Sequence, residues 1–214
     1  MHCPRQVGIF TNVRGKRKMR MRRTGFLLTV VALFFAAPPA QARTIHIVAF
    51  GDSATEGWLV RRDEAYPAQL QAMLRKKGYD VVVTNKGLSG DTSVGALERF
   101  DSAIAPGTDI ALVEFGTNDL RLRLPRDTMR GNLDKIVKTL KSRNIETMLI
   151  GLGGLDLADI ARANNVPYAQ WKLPPGQYRA RDHAHFNAEG YAIVINRMLP
   201  QVEELIARVK ARRP

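Results

Sequence analysis

The 214 residues suffice for one domain, and a hydrophobic content of 45% is ordinary for a chain that closes a single core. A formal net charge of +13 would suggest nucleic acid or an anionic membrane if it were spread over the folded surface, but eight of those charges lie in residues 1–42, which hold no Asp or Glu, leaving +5 for the remainder. Nucleic-acid binding is therefore disfavoured, and because the single cysteine is Cys3, thiol catalysis, thiolate metal sites and an internal disulfide are excluded from everything beyond that segment.

Residues 1–42 read as a secretory signal peptide. Arg5, Arg14, Lys16, Arg17, Lys18, Arg20, Arg22 and Arg23 supply the basic region, Gly25 to Ala37 (GFLLTVVALFFAA) an apolar run too short to span a bilayer, and Ala40-Gln41-Ala42 the small-residue cleavage pattern. Cleavage after Ala42 and export to the periplasm or beyond are expected, with Met19 and Met21 as alternative starts. The general secretory route fits better than twin-arginine export, because Phe26 stands one position too far from Arg22-Arg23. An uncleaved anchor or a buried helix is the competing reading. The domain proper is then 43–214.

From Thr44 onward strand-like and helix-like segments alternate, the pattern of a parallel sheet covered on both faces by helices, and so of an α/β fold. TIHIVAF (44–50) reads as a buried first strand, with His46 expected as a satisfied core histidine. AYPAQLQAMLRKKG (65–78) is a helix that Pro67 starts and Gly78 ends, YDVVVTN (79–85) the second strand, TSVGALERFDSAI (92–104) one short helix and DIALVEFG (109–116) the third strand. Met129, Leu133, Ile136, Val137 and Leu140 set a helical period in 128–143, followed by strand four at 146–153, a short helix at 155–165 and a fifth strand at 166–169. The last helix begins near Asn187, and Pro200 within it is expected to kink it.

Strands one, two and three run out into Gly51-Asp52-Ser53, Gly90 and Gly116-Thr117-Asn118-Asp119, so these segments should meet at the carboxyl rim of the sheet, where ligands bind in open parallel sheets. Acyl transfer needs a nucleophile, a base, a group orienting the base, and donors for an oxyanion. Ser53, in a turn between a glycine-led strand end and Ala54, suits the first role. The base must come from His183 or His185 in RDHAHFNAEGY (181–191), where Asp182, three residues before His185, suits the orienting role. The N–H groups of Ser53 and Gly90 and the Asn118 amide suit the last, unless Gly90 is only a turn glycine and Asn118-Asp119 only a helix cap. Asp182, His183 and His185 lack a fourth partner for a metal, and there is no G-x-S-x-G elbow, P-loop or dinucleotide fingerprint, so neither metal nor organic cofactor is expected.

FGDSATEG, NKGLSGDTS, EFGTND and DHAHFNAEG together resemble, in order, the four blocks of the SGNH (GDSL) hydrolase superfamily, and SGDTS with GTND is similar to its thioesterase I and lysophospholipase branch. The resemblance covers Thr44 to the C-terminus. It implies a three-layer α/β/α sandwich of flavodoxin-like type with five parallel strands, Ser53 as nucleophile, Ser53, Gly90 and Asn118 as oxyanion donors, and His185, preferred over His183, as base with Asp182 as partner; Asp52, Asp91 and Asp119 stand beside them as supporting residues. It implies an ester or thioester hydrolase of lysophospholipase, acyl-thioesterase or arylesterase type. Carbohydrate O-acetyl esterase with the same triad and a non-catalytic binding module on this fold are the alternatives. The partners expected are a small acyl ester or lysophospholipid and a transient contact with a membrane surface, with no obligate protein partner.

One departure from the branch is the short passage from Gly154 into LDLADIARANN, where members carry a longer helical insert lining the acyl groove. A shorter or more open groove is expected. Trp171, Leu173, Pro174 and Pro175 are candidates to replace part of that wall, against the commoner packing of such a Trp in the core.

Overall fold

The computed structural model describes residues 43–172 and 175–212; the signal-peptide reading and the groove role of Leu173 and Pro174 fall outside them. The first strand, β1 (Ile45–Gly51), is buried on both faces except at His46. That residue corrects the core-histidine expectation: it is exposed, because β3 pairs with β1 only from Ile47 onward, and its backbone N–H donates to the Asp109 carboxylate at 2.9 Å. Then come α1 (Ser53–Glu56), α2 (Tyr66–Lys76), β2 (Val81–Gly87), α3 (Ser93–Glu98), α4 (Phe100–Ala103), β3 (Ile110–Glu114), α5 (Thr117–Arg121), α6 (Arg126–Ser142), β4 (Glu146–Leu152), α7 (Ala158–Asn164), β5 (Tyr168–Trp171) and α8 (Ala188–Ala211).

All five strands are parallel in the order β2-β1-β3-β4-β5, the flavodoxin-like order, with the direction of winding reversing between β1 and β3. Alternation along β1 divides the core. Ile45, Ile47 and Ala49 join Leu70 and Leu74 of α2 and Tyr191, Val194 and Val202 of α8, whereas Val48 and Phe50 join Phe100 of α4, Leu133 and Ile136 of α6 and Ile160 of α7. The result is the three-layer sandwich that the alternating pattern implies.

The differences at element ends have local causes. β2 starts at Val81 because Gly78, at φ +88°, turns the chain out of α2 and the Tyr79 N–H closes back on the Leu74 carbonyl. Likewise Asn165, at φ +52°, lets the Val166 N–H return to Ala161, so β5 is delayed to Tyr168. The single helix expected at 92–104 is two, broken at Arg99. Helix α8 runs without interruption from Ala188 to Ala211 with Pro200 inside it.

Arg99 explains its own break. Its guanidinium donates to Asp91 Oδ2 (2.7 Å), the Lys86 carbonyl (2.9 Å) and the Gly51 carbonyl (3.0 Å), while lying 4.6 Å over the Phe50 ring. One planar fork thus ties the tips of β1 and β2 to the loop that carries Gly90. Removing it strands the Asp91 carboxylate, which is almost fully buried. Arg99→Ala should lower stability in urea unfolding by about 3–5 kcal/mol, and Arg99→Lys should recover less than half, because a point ammonium cannot serve three divergent acceptors. Full recovery with lysine would reduce the role of Arg99 to its charge.

Candidate active site

Asp52, between β1 and α1, caps the short helix: its Oδ1 accepts the Ala54 N–H at 3.0 Å, which forces a sharp turn and sets Ser53 at the first helical position. The turn is possible because residue 51 is glycine; a Cβ there would fall 2.0 Å from Thr55 Oγ1 and 2.6 Å from the Glu114 carbonyl oxygen. As the first residue of α1, Ser53 has an N–H with no intrahelical acceptor, free to face a ligand.

The second half of the site is a closed loop before α8. Arg179 and Phe186 form an antiparallel bridge, Ala180 N–H donates to the His185 carbonyl (2.8 Å) and Asn187 N–H to the Tyr178 carbonyl (3.1 Å). Inside it, Asp182 Oδ1 accepts the N–H groups of Ala184 (3.1 Å) and His185 (3.0 Å), and Oδ2 lies 2.5 Å from His185 Nδ1. An ionised carboxylate only accepts, so Nδ1 carries the hydrogen and Nε2 is left as an acceptor. His185 Nε2 stands 2.8 Å from Ser53 Oγ, whereas Asp52 Oδ1 is 3.5 Å from the same hydroxyl, so the proton goes toward the imidazole. His183 is exposed at the tip of the loop with φ +58° and does not line the cleft.

Gly90, at φ +81°, and Asn118 line the same cleft as Ser53 and His185. Asn118 is not a helix cap: its Nδ2 donates to Asp52 Oδ2 (3.1 Å) and to the Asp91 carbonyl (2.9 Å). Asp119 takes the Ser93 N–H (2.9 Å) and hydroxyl (2.6 Å), fastening α5 to the start of α3. Among the described residues no group of three or more His, Cys, Asp or Glu side chains is placed to hold a metal ion.

Two residues that shape the site take no role from the sequence alone, although Glu56 lies within FGDSATEG. Glu56 accepts the Ser89 N–H at 2.7 Å and holds the Gly90 loop against α1, and Arg99 braces the same loop through Asp91. The cleft, about 770 Å³, has an apolar wall that includes Trp58, Leu120, Leu152, Leu155 and Phe186, with Arg121 and Arg126 as its cations. Gly153 and Gly154, in the passage after β4, border it. Trp171 lies elsewhere, packed edge-on against Tyr66 (4.9 Å between centroids) and Phe186 (5.8 Å) in the core. The sequence signal for Glu56 is its place in FGDSATEG, and for Arg99 only its charge between two short helices.

For Asp182, burial acts upward, but the backbone N–H of His185, its imidazole and the N–H of Ala184 outweigh it and hold the carboxyl down to about 2. A folded carboxyl more acidic than its unfolded value near 4 contributes stability that is complete above about pH 4 and lost as pH falls through about 2. The melting-temperature deficit of Asp182→Asn relative to the native chain should accordingly be largest at neutral pH and shrink steadily below about pH 4. A deficit independent of pH would mean that the carboxylate charge contributes nothing.

Comparison with known proteins agrees with this geometry. The profile of the GDSL-like Lipase/Acylhydrolase family matches residues 49–193. An arylesterase of Vibrio mimicus is 30% identical over 125 residues, 58% of this chain and 62% of that protein, and the esterase TesA of Pseudomonas aeruginosa is 28% identical over 123 residues, 57% and 60% respectively. The matched segments thus span about three fifths of these curated relatives. AlinE4, described as an SGNH-hydrolase family esterase, superimposes with a TM-score of 0.61 at 26% identity, covering 77% of this chain and 98% of its own. With strand order, site blocks and the family profile over residues 49–193 in agreement, the chain belongs to the GDSL-like lipase/acylhydrolase family.

Proposed function

We propose that the chain is a serine hydrolase that cleaves acyl esters or thioesters through an acyl-Ser53 intermediate. The observation carrying this reading is the continuous line from Asp182 Oδ2 through the His185 ring to Ser53 Oγ, with contacts of 2.5 and 2.8 Å. Ser53 Oγ attacks the acyl carbonyl as its proton passes to His185 Nε2, and Asp182 balances the imidazolium. The N–H groups of Ser53 and Gly90 and the Asn118 amide receive the developing oxyanion, each donor being worth about 3 kcal/mol in comparable sites. The imidazolium then gives its proton to the leaving alkoxide or thiolate, and water repeats the sequence to release the acid. Export through residues 1–42 belongs to the same reading and places the enzyme outside the cytoplasm.

The cleft favours an acyl chain over a sugar, since its wall is largely apolar and Trp58 in that wall is about half exposed. Arg121 and Arg126 make no ion pair among the described residues and face the same cleft, which suits a phosphate on the leaving side of the substrate, as in a lysophospholipid. A transient approach to an anionic membrane surface would use the same rim.

Ser53→Ala should reduce turnover of p-nitrophenyl butyrate by about 10³-fold or more with the melting temperature nearly unchanged; retained turnover removes Ser53 from the mechanism. A panel of p-nitrophenyl acetate, longer acyl esters, lysophospholipid and acetylated xylan then separates lipid from carbohydrate esters. Combining Arg121→Gln with Arg126→Gln should lower the kcat/KM preference for lysophospholipid over a neutral ester by about tenfold, the sum of two exposed charge contacts. An unchanged preference shows that the arginines do not read the phosphate.

A further inference from the structure

Glu114 ends β3, is wholly buried, and does not border the cleft. It lies directly behind the nucleophile turn. Its Oε2 accepts the Thr55 hydroxyl at 3.0 Å and the Asp52 N–H at 3.4 Å, while Oε1 has no hydrogen-bond partner among the described residues. The groups that face it are Asp52 and Thr55 from the β1–α1 turn, Tyr66 from α2 and Tyr191 from α8, and none of them is a cation.

An ionised Glu114 would have one oxygen uncompensated in an apolar core with a second carboxyl beside it. Asp52 is the better site for charge, because donors reach both of its oxygens: Ala54 N–H on Oδ1 and Asn118 Nδ2 on Oδ2. Burial first, and then the charge of Asp52, push the Glu114 carboxyl well above the usual range; burial also raises Asp52, against the pull of the Ala54 N–H. The proton therefore stays on Glu114 and the charge on Asp52.

We propose that Glu114 is a positioning residue working as a neutral acid: from behind the turn it holds the Asp52 backbone and Thr55, and so fixes the carboxylate that aims both the first turn of α1 and the Asn118 amide. This rests on the reading of Ser53 as nucleophile and Asn118 as oxyanion donor. It differs from a filler role, since the property required is a neutral group that accepts two donors, not volume.

The test compares Glu114→Gln, Glu114→Leu and Thr55→Val with the native chain, using kcat and KM for p-nitrophenyl butyrate and melting temperatures at about pH 5 and about pH 8. Glutamine presents the same acceptor without charge and should keep kcat within about fivefold, whereas leucine should lower kcat by about 10²-fold with KM within about threefold. Thr55→Val, which removes one donor to Oε2, should lower kcat by about tenfold. An acid whose folded pKa is raised binds its proton more tightly folded than unfolded, and so loses stability as pH rises above its unfolded value; Glu114→Gln should therefore raise the melting temperature more at about pH 8 than at about pH 5. If the leucine variant does not fold, Thr55→Val and the two glutamine readouts decide. Glutamine as inactive as leucine, leucine with native kcat, or native kcat in Thr55→Val overturns the proposal. Because Ser53→Ala tests the underlying reading separately, an inactive Ser53→Ala beside a fully active Glu114→Leu sinks only the role of Glu114.

Discussion

A hydroxyl and an imidazole 132 residues apart are held at 2.8 Å, and the architecture serves that one contact. Neither partner is anchored by contact with the other. Ser53 is set by a helix cap at the tip of a buried strand, and His185 by a bridged loop that leads into α8, which packs along the face of the sheet that β1 also covers. Rigid elements on both sides mean that little conformational freedom remains to be lost when a substrate binds, which is the condition for a near-attack geometry.

The ends of parallel strands are a difficult place for polar side chains, because the sheet behind them is dry. Asp52, Glu114, Asn118 and Asp119 are all buried there, and each solution differs. Asp119 is satisfied by a serine backbone and hydroxyl, and Asp52 by a cap N–H and an amide. Arg99 brings a full positive charge to Asp91 and spends its other donors on strand-end carbonyls. Of the three buried carboxyls Asp52, Glu114 and Asp119, only Glu114 has an oxygen without a hydrogen-bond partner among the described residues, and burial first, then the charge of Asp52, raises its pKa. In the proposed mechanism, charge is thus kept on Asp52, where donors converge, and suppressed on Glu114.

Apolar pattern made the layers legible: the continuous run of TIHIVAF points to a buried strand, and the helical repeat of Met129, Leu133, Ile136 and Leu140 to the face that α6 buries. Strand starts were less so, since Tyr79 and Val166 have strand-forming side chains yet are claimed by backbone bonds that close the preceding helix. His46 shows the limit of reading burial from a strand pattern, because exposure there depends on where the neighbouring strand begins. Ser53, Asn118, Asp182 and His185 were legible as candidates because they stand at strand ends or just before the last helix, within the blocks FGDSATEG, EFGTND and DHAHFNAEG. The roles of Arg99, Glu56 and Glu114 were not, although the two glutamates lie within FGDSATEG and EFGTND, because a buried or bracing charge takes its meaning from partners brought by the fold. Glu114 sits in a run of apolar residues, and its burial is a property of β3 lying between β1 and β4.

In the resting structure both hydrogens of the Asn118 amide already have acceptors, Asp52 Oδ2 at 3.1 Å and the Asp91 carbonyl at 2.9 Å. In the proposed mechanism this bears on selectivity for the transition state. A neutral substrate carbonyl gains little by displacing the Asp91 carbonyl, whereas the oxyanion carries a full charge and forms a hydrogen bond roughly twice as strong as that neutral one. The amide would then be surrendered to the oxygen mainly once the bond to Ser53 has begun to form. Donors already engaged by the protein, instead of lowering the catalytic contribution, withhold it from the ground state and release it where it accelerates the reaction.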